Sequence, residues 1–96
     1  MDMEFSTTFW QDFSIADAFG ASAVKDTFNR AFKEWKSDYR YLTDLVIVLN
    51  HKIWQHFQNG NNVMSELYNE LWEKADNYAI ENLEGDELRY FYEKVD

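Results

Sequence analysis

The chain has no proline and only three glycines in 96 residues, and each glycine falls where a stretch of helically spaced apolar residues stops. Proline is the main breaker of helices, so stretches without it run uninterrupted until a glycine or a short polar side chain ends them. Gly20, Gly60 and Gly85 divide the chain into segments. Within each, apolar residues recur at three- and four-residue intervals and do not alternate as in a strand.

Residues from Ala21 or Ser22 to Lys36 carry an apolar stripe of Val24, Phe28, Ala31, Phe32 and Trp35. Ser37 and Asp38 offer a cap for a second helix to about Gln58, with Leu42, Leu45, Val46, Leu49, Ile53 and Phe57 as its stripe. Ile47 and Trp54 widen that arc, as in a central helix touching two neighbours. A third helix starts near Asn62 and buries Met64, Leu67, Tyr68, Leu71, Ala75, Tyr78 and Ala79, with Gly85 closing it. Asp86 then caps a short helix carrying Leu88, Phe91, Tyr92 and Val95. The expected helices are 21–36, 39–59, 62–84 and 86–94. The first twenty residues read as helical or irregular, with two rival starts: Ser6 as cap with Phe5 and Trp10 as a hydrophobic staple, or Ser14 as cap with Asp17 in the capping-box position.

These segments predict a single all-α domain: three long antiparallel helices joined by short connections, a short C-terminal helix, and the undecided N-terminal segment. Phe28, Phe32, Leu42, Leu45, Leu49, Leu67 and Leu71 are its expected shared core. Eight Phe, six Tyr and four Trp supply large buried area to a small domain.

Enzyme chemistry finds no foothold. With no cysteine there is no disulfide, thiolate metal site or thiol nucleophile. His51 and His56 lie five residues apart, on different helix faces, and belong to no H-E-x-x-H pattern. The glutamates have no histidine companion of the kind that di-metal bundles use. No glycine-rich phosphate loop or nucleophile elbow occurs. Asp12 and Asp17 could act as an acid–base pair only if the N-terminal segment folded over a cleft. The expectation is a non-enzymatic protein without cofactor or metal. The acidic first residues and the lack of a long apolar run point to the cytoplasm and away from membranes.

The charge is the best functional clue. The net charge is −9 and uneven: residues 1–20 contribute −4, residues 21–58 contribute +2 and residues 59–96 contribute −7. Such acidity disfavours direct binding to nucleic acid or anionic lipid. In the third helix Glu66, Glu70, Glu73 and Glu84 fall opposite the apolar stripe with Glu81 at the edge, interrupted in sign only by Lys74. Asp86 and Glu87 extend the row. From Glu66 to Glu84 a continuous helix would run about 27 Å, with carboxylates about 5–6 Å apart. That resembles the spacing of phosphates along a nucleic-acid strand.

In overall character the chain resembles the small acidic proteins of phages and mobile elements, some of which inhibit host nucleases by mimicking nucleic acid. The resemblance is one of composition and transfers no individual residue. It implies a protein-binding module whose acidic row docks on a basic, nucleic-acid-binding protein. The alternative is a helical adaptor or homo-oligomer that binds through exposed aromatics, with Ile47 and Trp54 as its contacts. The oligomeric state stays open.

Overall fold

A computed structural model describes the backbone of residues 3–95 and the side chains of residues 7–95. Among the described residues it is a bundle of five helices without strands: α1 (Met3–Phe19), α2 (Ala21–Trp35), α3 (Tyr39–Gln58), α4 (Asn62–Asn82) and α5 (Gly85–Val95). The bundle measures 38 × 23 × 22 Å. Helix α3 is the hub. It packs along α4 and also touches α1, α2 and α5, so it meets four neighbours where its wide apolar arc suggested two.

Local chemistry sets the boundaries. Asp38 caps α3 by accepting from the backbone N–H of Arg40 at 3.0 Å and Tyr41 at 3.4 Å. At the other end of α3, Gly60 adopts φ of 78°, which lets the N–H of Asn61 reach the carbonyl of His56 at 2.9 Å. The N–H of Gly60 bonds Phe57 at 3.1 Å, completing a Schellman turn. Asn61 at once caps α4, its side chain accepting from the N–H of Met64 at 3.2 Å.

Two expectations need correction. The N-terminal segment is a helix of 17 residues, longer than the 15 of α2. Ser6 and Ser14 are therefore helical positions, not caps, and the side chains of Phe5 and Ser6 lie outside the described residues. Phe9, Phe13 and Ala16 are buried on its inner face. That stripe reads as weak because Ser14 and Asp17 also point inward, to partners described below. The second correction is at the end of α4, which stops at Asn82 and not at residue 84. Asn82 turns its amide back to the Tyr78 carbonyl at 2.8 Å, and Leu83 takes an extended conformation that carries its side chain into the core. Gly85 and Asp86 then lie in the first turn of α5, so Gly85 opens that helix and does not close α4.

The core gathers Phe28, Leu42, Leu45, Leu49 and Leu67 as expected, joined by Phe9, Phe13, Tyr68 and Phe91. Phe32 and Leu71 pack against it but stay half-buried. Phe57 is 57% exposed: at about 100° per residue it lies about 120° around α3 from Leu45.

Candidate functional site

Helix α4 presents the carboxylate row to solvent. At about 100° per residue, Glu66, Glu70, Glu73 and Glu81 cluster within about 80° of one another, opposite the face that buries Met64, Tyr68, Ala75 and Ala79. All four are exposed, as are Glu84, Asp86 and Glu87. Because α4 ends at Asn82, the straight part of the row runs from Glu66 to Glu81, about 22 Å. Glu84 follows the extended Leu83, and Asp86 and Glu87 sit in the first turn of α5, where carboxylates also favour the helix dipole.

Among the described residues, no cation forms an ion pair with the five glutamates 66, 70, 73, 81 and 84. Asn69 donates to Glu73 at 2.9 Å, and Asp86 meets Arg89 only at 3.8 Å, with both side chains largely in solvent. Two lysines border the face. Lys25 of α2 lines a shallow depression with Glu66 and Glu70, and Lys74 lies 5.8 Å from the ring centre of Phe28, drawn toward α2. The face is thus acidic along its crest and flanked by lysines on the α2 side.

The alternative contacts, Ile47 and Trp54, differ in exposure. Ile47 is half-buried and lines a cavity of about 490 Å³ between α3, α4 and α5. Trp54 is 55% exposed and sets its ring edge-on against Phe57 at 5.7 Å. The same cavity holds His51, Asp76 and Lys94 beside Trp72 and Tyr92. Burial lifts the Asp76 carboxyl above its ordinary range.

The strongest polar feature of the molecule escaped the sequence reading. Lys52, on the buried side of α3, is 1% exposed. Its ammonium donates to Ser14 Oγ at 2.9 Å, Asp17 Oδ2 at 3.0 Å and Gln55 Oε1 at 3.1 Å, and it lies 4.2 Å from the ring centre of Trp10. Tyr68 of α4 donates to Asp17 Oδ1 at 2.6 Å, while His56 Nε2 meets Asp17 Oδ2 at 3.1 Å. A carboxylate receiving from Lys52 and Tyr68 can only accept, so Nε2 carries the His56 proton. The imidazole stacks on Tyr68 with 5.4 Å between ring centres. Burial, and then the neighbouring Asp17, pushes the Tyr68 hydroxyl far above its ordinary titration range.

Asp17 is therefore the knot that ties α1 to α3 and α4. Asp12, its supposed acid–base companion, is exposed and lines a trough between α1 and α2, so the two do not meet. An ammonium has three donors and all three of Lys52's are engaged, and the tyrosine turns its only proton chiefly to Asp17, at 2.6 Å against 3.5 Å to the Phe13 carbonyl. Lys52 and Tyr68 thus direct their donors to the protein itself, and the network clasps α1 to α3 and α4. One signal could have exposed it. Lys52 and His56 continue the stripe of Leu45 and Leu49 at helical spacing, placing polar groups where apolar ones belong.

Comparison with protein-family models, curated proteins and solved structures finds no match to this chain.

Proposed function

We propose that the protein is a non-enzymatic binding module that docks the acidic crest of α4, with its continuation into α5, on a basic surface of a nucleic-acid-binding protein. In this role it occupies the groove that phosphates would fill and acts as an inhibitor. The observation that carries the reading is the crest itself: Glu66, Glu70, Glu73 and Glu81 exposed on one rigid helix, none held in an ion pair among the described residues. Carboxylates without an ion-pair partner keep their field available to a basic surface and break no internal ion pair on docking. The seven contacts are Glu66, Glu70, Glu73, Glu81, Glu84, Asp86 and Glu87.

The test is a Glu66→Lys, Glu70→Lys, Glu73→Lys triple variant. All three positions are exposed and lysine suits a helix, so its circular dichroism should match wild type and its melting should be no lower. Wild type immobilised at low salt should retain basic nucleic-acid-binding proteins from a lysate and release them to competing duplex DNA. The folded triple variant should retain none of them. Retention of the same proteins by both, unaffected by DNA, rejects the mimic. The second reading, an adaptor working through aromatics, then takes its place. It is favoured by the Trp54 and Phe57 rings, each more than half exposed and packed together, and such a complex should persist as salt rises.

A further inference from the structure

We propose that the trough between α1 and α2 is a docking groove for a short amphipathic helix whose apolar side chains are flanked by Lys and Arg. The groove belongs to a different pair of helices from the acidic crest and does not rest on its function. Its origin is legible in side-chain size. Where α1 and α2 face each other, Ala16, Ala23, Ala31 and Thr27 are too small to fill the space between helix backbones. A cavity of about 480 Å³ remains, walled at one end by Phe19 and Ile15 and at the other by Phe9 and Trp35. Along α2 it runs from Ala23 to Trp35, about 18 Å, the length of about twelve helical residues. The volume accepts a few large side chains from one face of such a helix, with its backbone riding on top.

Two observations mark the groove as a surface for contact. Phe19 is 80% exposed and Ile15 is 62% exposed, both on its lip. Large apolar side chains gathered at a concave site are the pattern of helix-in-groove recognition.

The rim names the occupant. Asp12, Asp26 and Glu34 are exposed around the groove against one cation, Arg30, whose guanidinium leans inward to Thr27 Oγ1 at 3.5 Å. A helix flanked by Lys and Arg meets complementary charge there. A second copy presenting its own α1 does not. That helix contains no Lys or Arg, so the pairing would set Asp12 against the carboxylates of the other rim. Like charges across an interface select against that partner.

Two fluorescein-labelled helical peptides of about twelve residues provide the probes, sharing a leucine stripe and differing only in flanking Lys or flanking Glu. Anisotropy should show the Lys peptide binding wild type at least about tenfold tighter than the Glu peptide. Ala31→Trp fills the trough, and Asp12→Lys with Glu34→Lys reverses the rim at two exposed positions that tolerate change. Each should weaken the Lys peptide by about tenfold or more. The double rim variant keeps the test meaningful if Ala31→Trp disturbs packing. The crest variant Glu66→Lys, Glu70→Lys, Glu73→Lys should leave peptide affinity unchanged, which separates this groove from the crest and from general attraction to an acidic protein. Equal affinity for both peptides overturns the proposal. So does loss of binding in the crest variant with retention in the rim variant. A wild-type dimer by sedimentation that Ala31→Trp dissociates also overturns it, because it assigns the groove to a second copy.

Discussion

Replacing Asp17 by alanine removes the acceptor shared by Lys52, Tyr68 and His56 and leaves a charge stranded beneath α1. Lys52, 1% exposed in the wild type, would keep only the neutral acceptors Ser14 and Gln55. Breaking a buried pair by removing one partner costs about 3–5 kcal/mol, because the surviving ion has lost water and gained nothing in exchange. The Asp17 side chain is 17% exposed, so water can enter the vacated space and the lower end, about 3 kcal/mol, is expected. A domain of 96 residues has about 5–14 kcal/mol in total, so this single change removes a large part of it. Lys52→Met keeps the stem against Trp10 and removes the charge, leaving Asp17 two donors and some solvent. It should cost less, about 1–3 kcal/mol. In the double variant neither ion is stranded, so its loss should fall short of the sum of the two by about 1–3 kcal/mol. Urea unfolding followed by tryptophan fluorescence measures all four proteins, with Trp10 as a local reporter. An Asp17→Ala loss below about 0.5 kcal/mol, or strict additivity in the double variant, would refute the clasp.

Asp76 titrates above its ordinary value of 3.8 because burial penalises its charged form. A raised folded value means that its favourable contribution is complete below 3.8 and is lost as pH rises through the folded value. Asp76→Asn should therefore raise the urea midpoint at neutral pH, with the gain vanishing in acid below 3.8; a neutral-pH midpoint at or below wild type speaks against it. Tyr68 shifts the same way with the window at high pH: its contribution is intact below 10.0 and declines as pH climbs above it. Tyr68→Phe should be less stable at neutral pH by about 1–3 kcal/mol but lose less on going to alkaline pH, as compared by unfolding midpoints across that range. Leu45 is fully buried and Leu71 only half, so Leu45→Ala should cost about 3–5 kcal/mol and Leu71→Ala clearly less, read from the same denaturation curves.

How far the sequence reveals this molecule depends on whether the relevant partner is local. Helices α2, α3 and α4 start within one residue of their expected positions, because Asp38, Gly60 and Asn61 act on their immediate neighbours. Helix α1 was ambiguous because half of its inner face is polar. Ser14 and Asp17 make sense only against Lys52 and Tyr68, which lie 35 to 51 residues away along the chain. The acidic crest was legible as a pattern, since exposure on α4 follows from its period. The groove between α1 and α2 was not. It arises where the alanines of two helices meet, and no single-helix pattern reports what stands opposite.

The same structure suggests why so acidic a chain is also so rich in rings. Among the described residues, five of the nine basic side chains lie over aromatic faces: Lys36 on Phe32 and Tyr78, Arg40 on Tyr39, Lys52 on Trp10, Lys74 on Phe28 and Lys94 on Tyr90. Lys52 also pairs with Asp17, but the rings hold the other four cations away from the exposed carboxylates. A cation over a ring gains about 0.5–1 kcal/mol near the surface without neutralising any acid. The net charge of −9 then acts on the folded state mainly as self-repulsion. Salt screens exposed charges over a length that falls from about 10 Å at 0.1 M to about 3 Å at 1 M. Added sodium chloride should accordingly raise the melting temperature, by several degrees over that range, since repulsion among exposed carboxylates is relieved while the buried clasp at Asp17 is little screened. The crest variant Glu66→Lys, Glu70→Lys, Glu73→Lys changes the net charge from −9 to −3, and its response to salt should be markedly smaller. A wild-type melting temperature that falls with salt would mean that surface attractions outweigh the repulsion. The carboxylates would then be engaged at home, and the crest would have no free field to offer a partner.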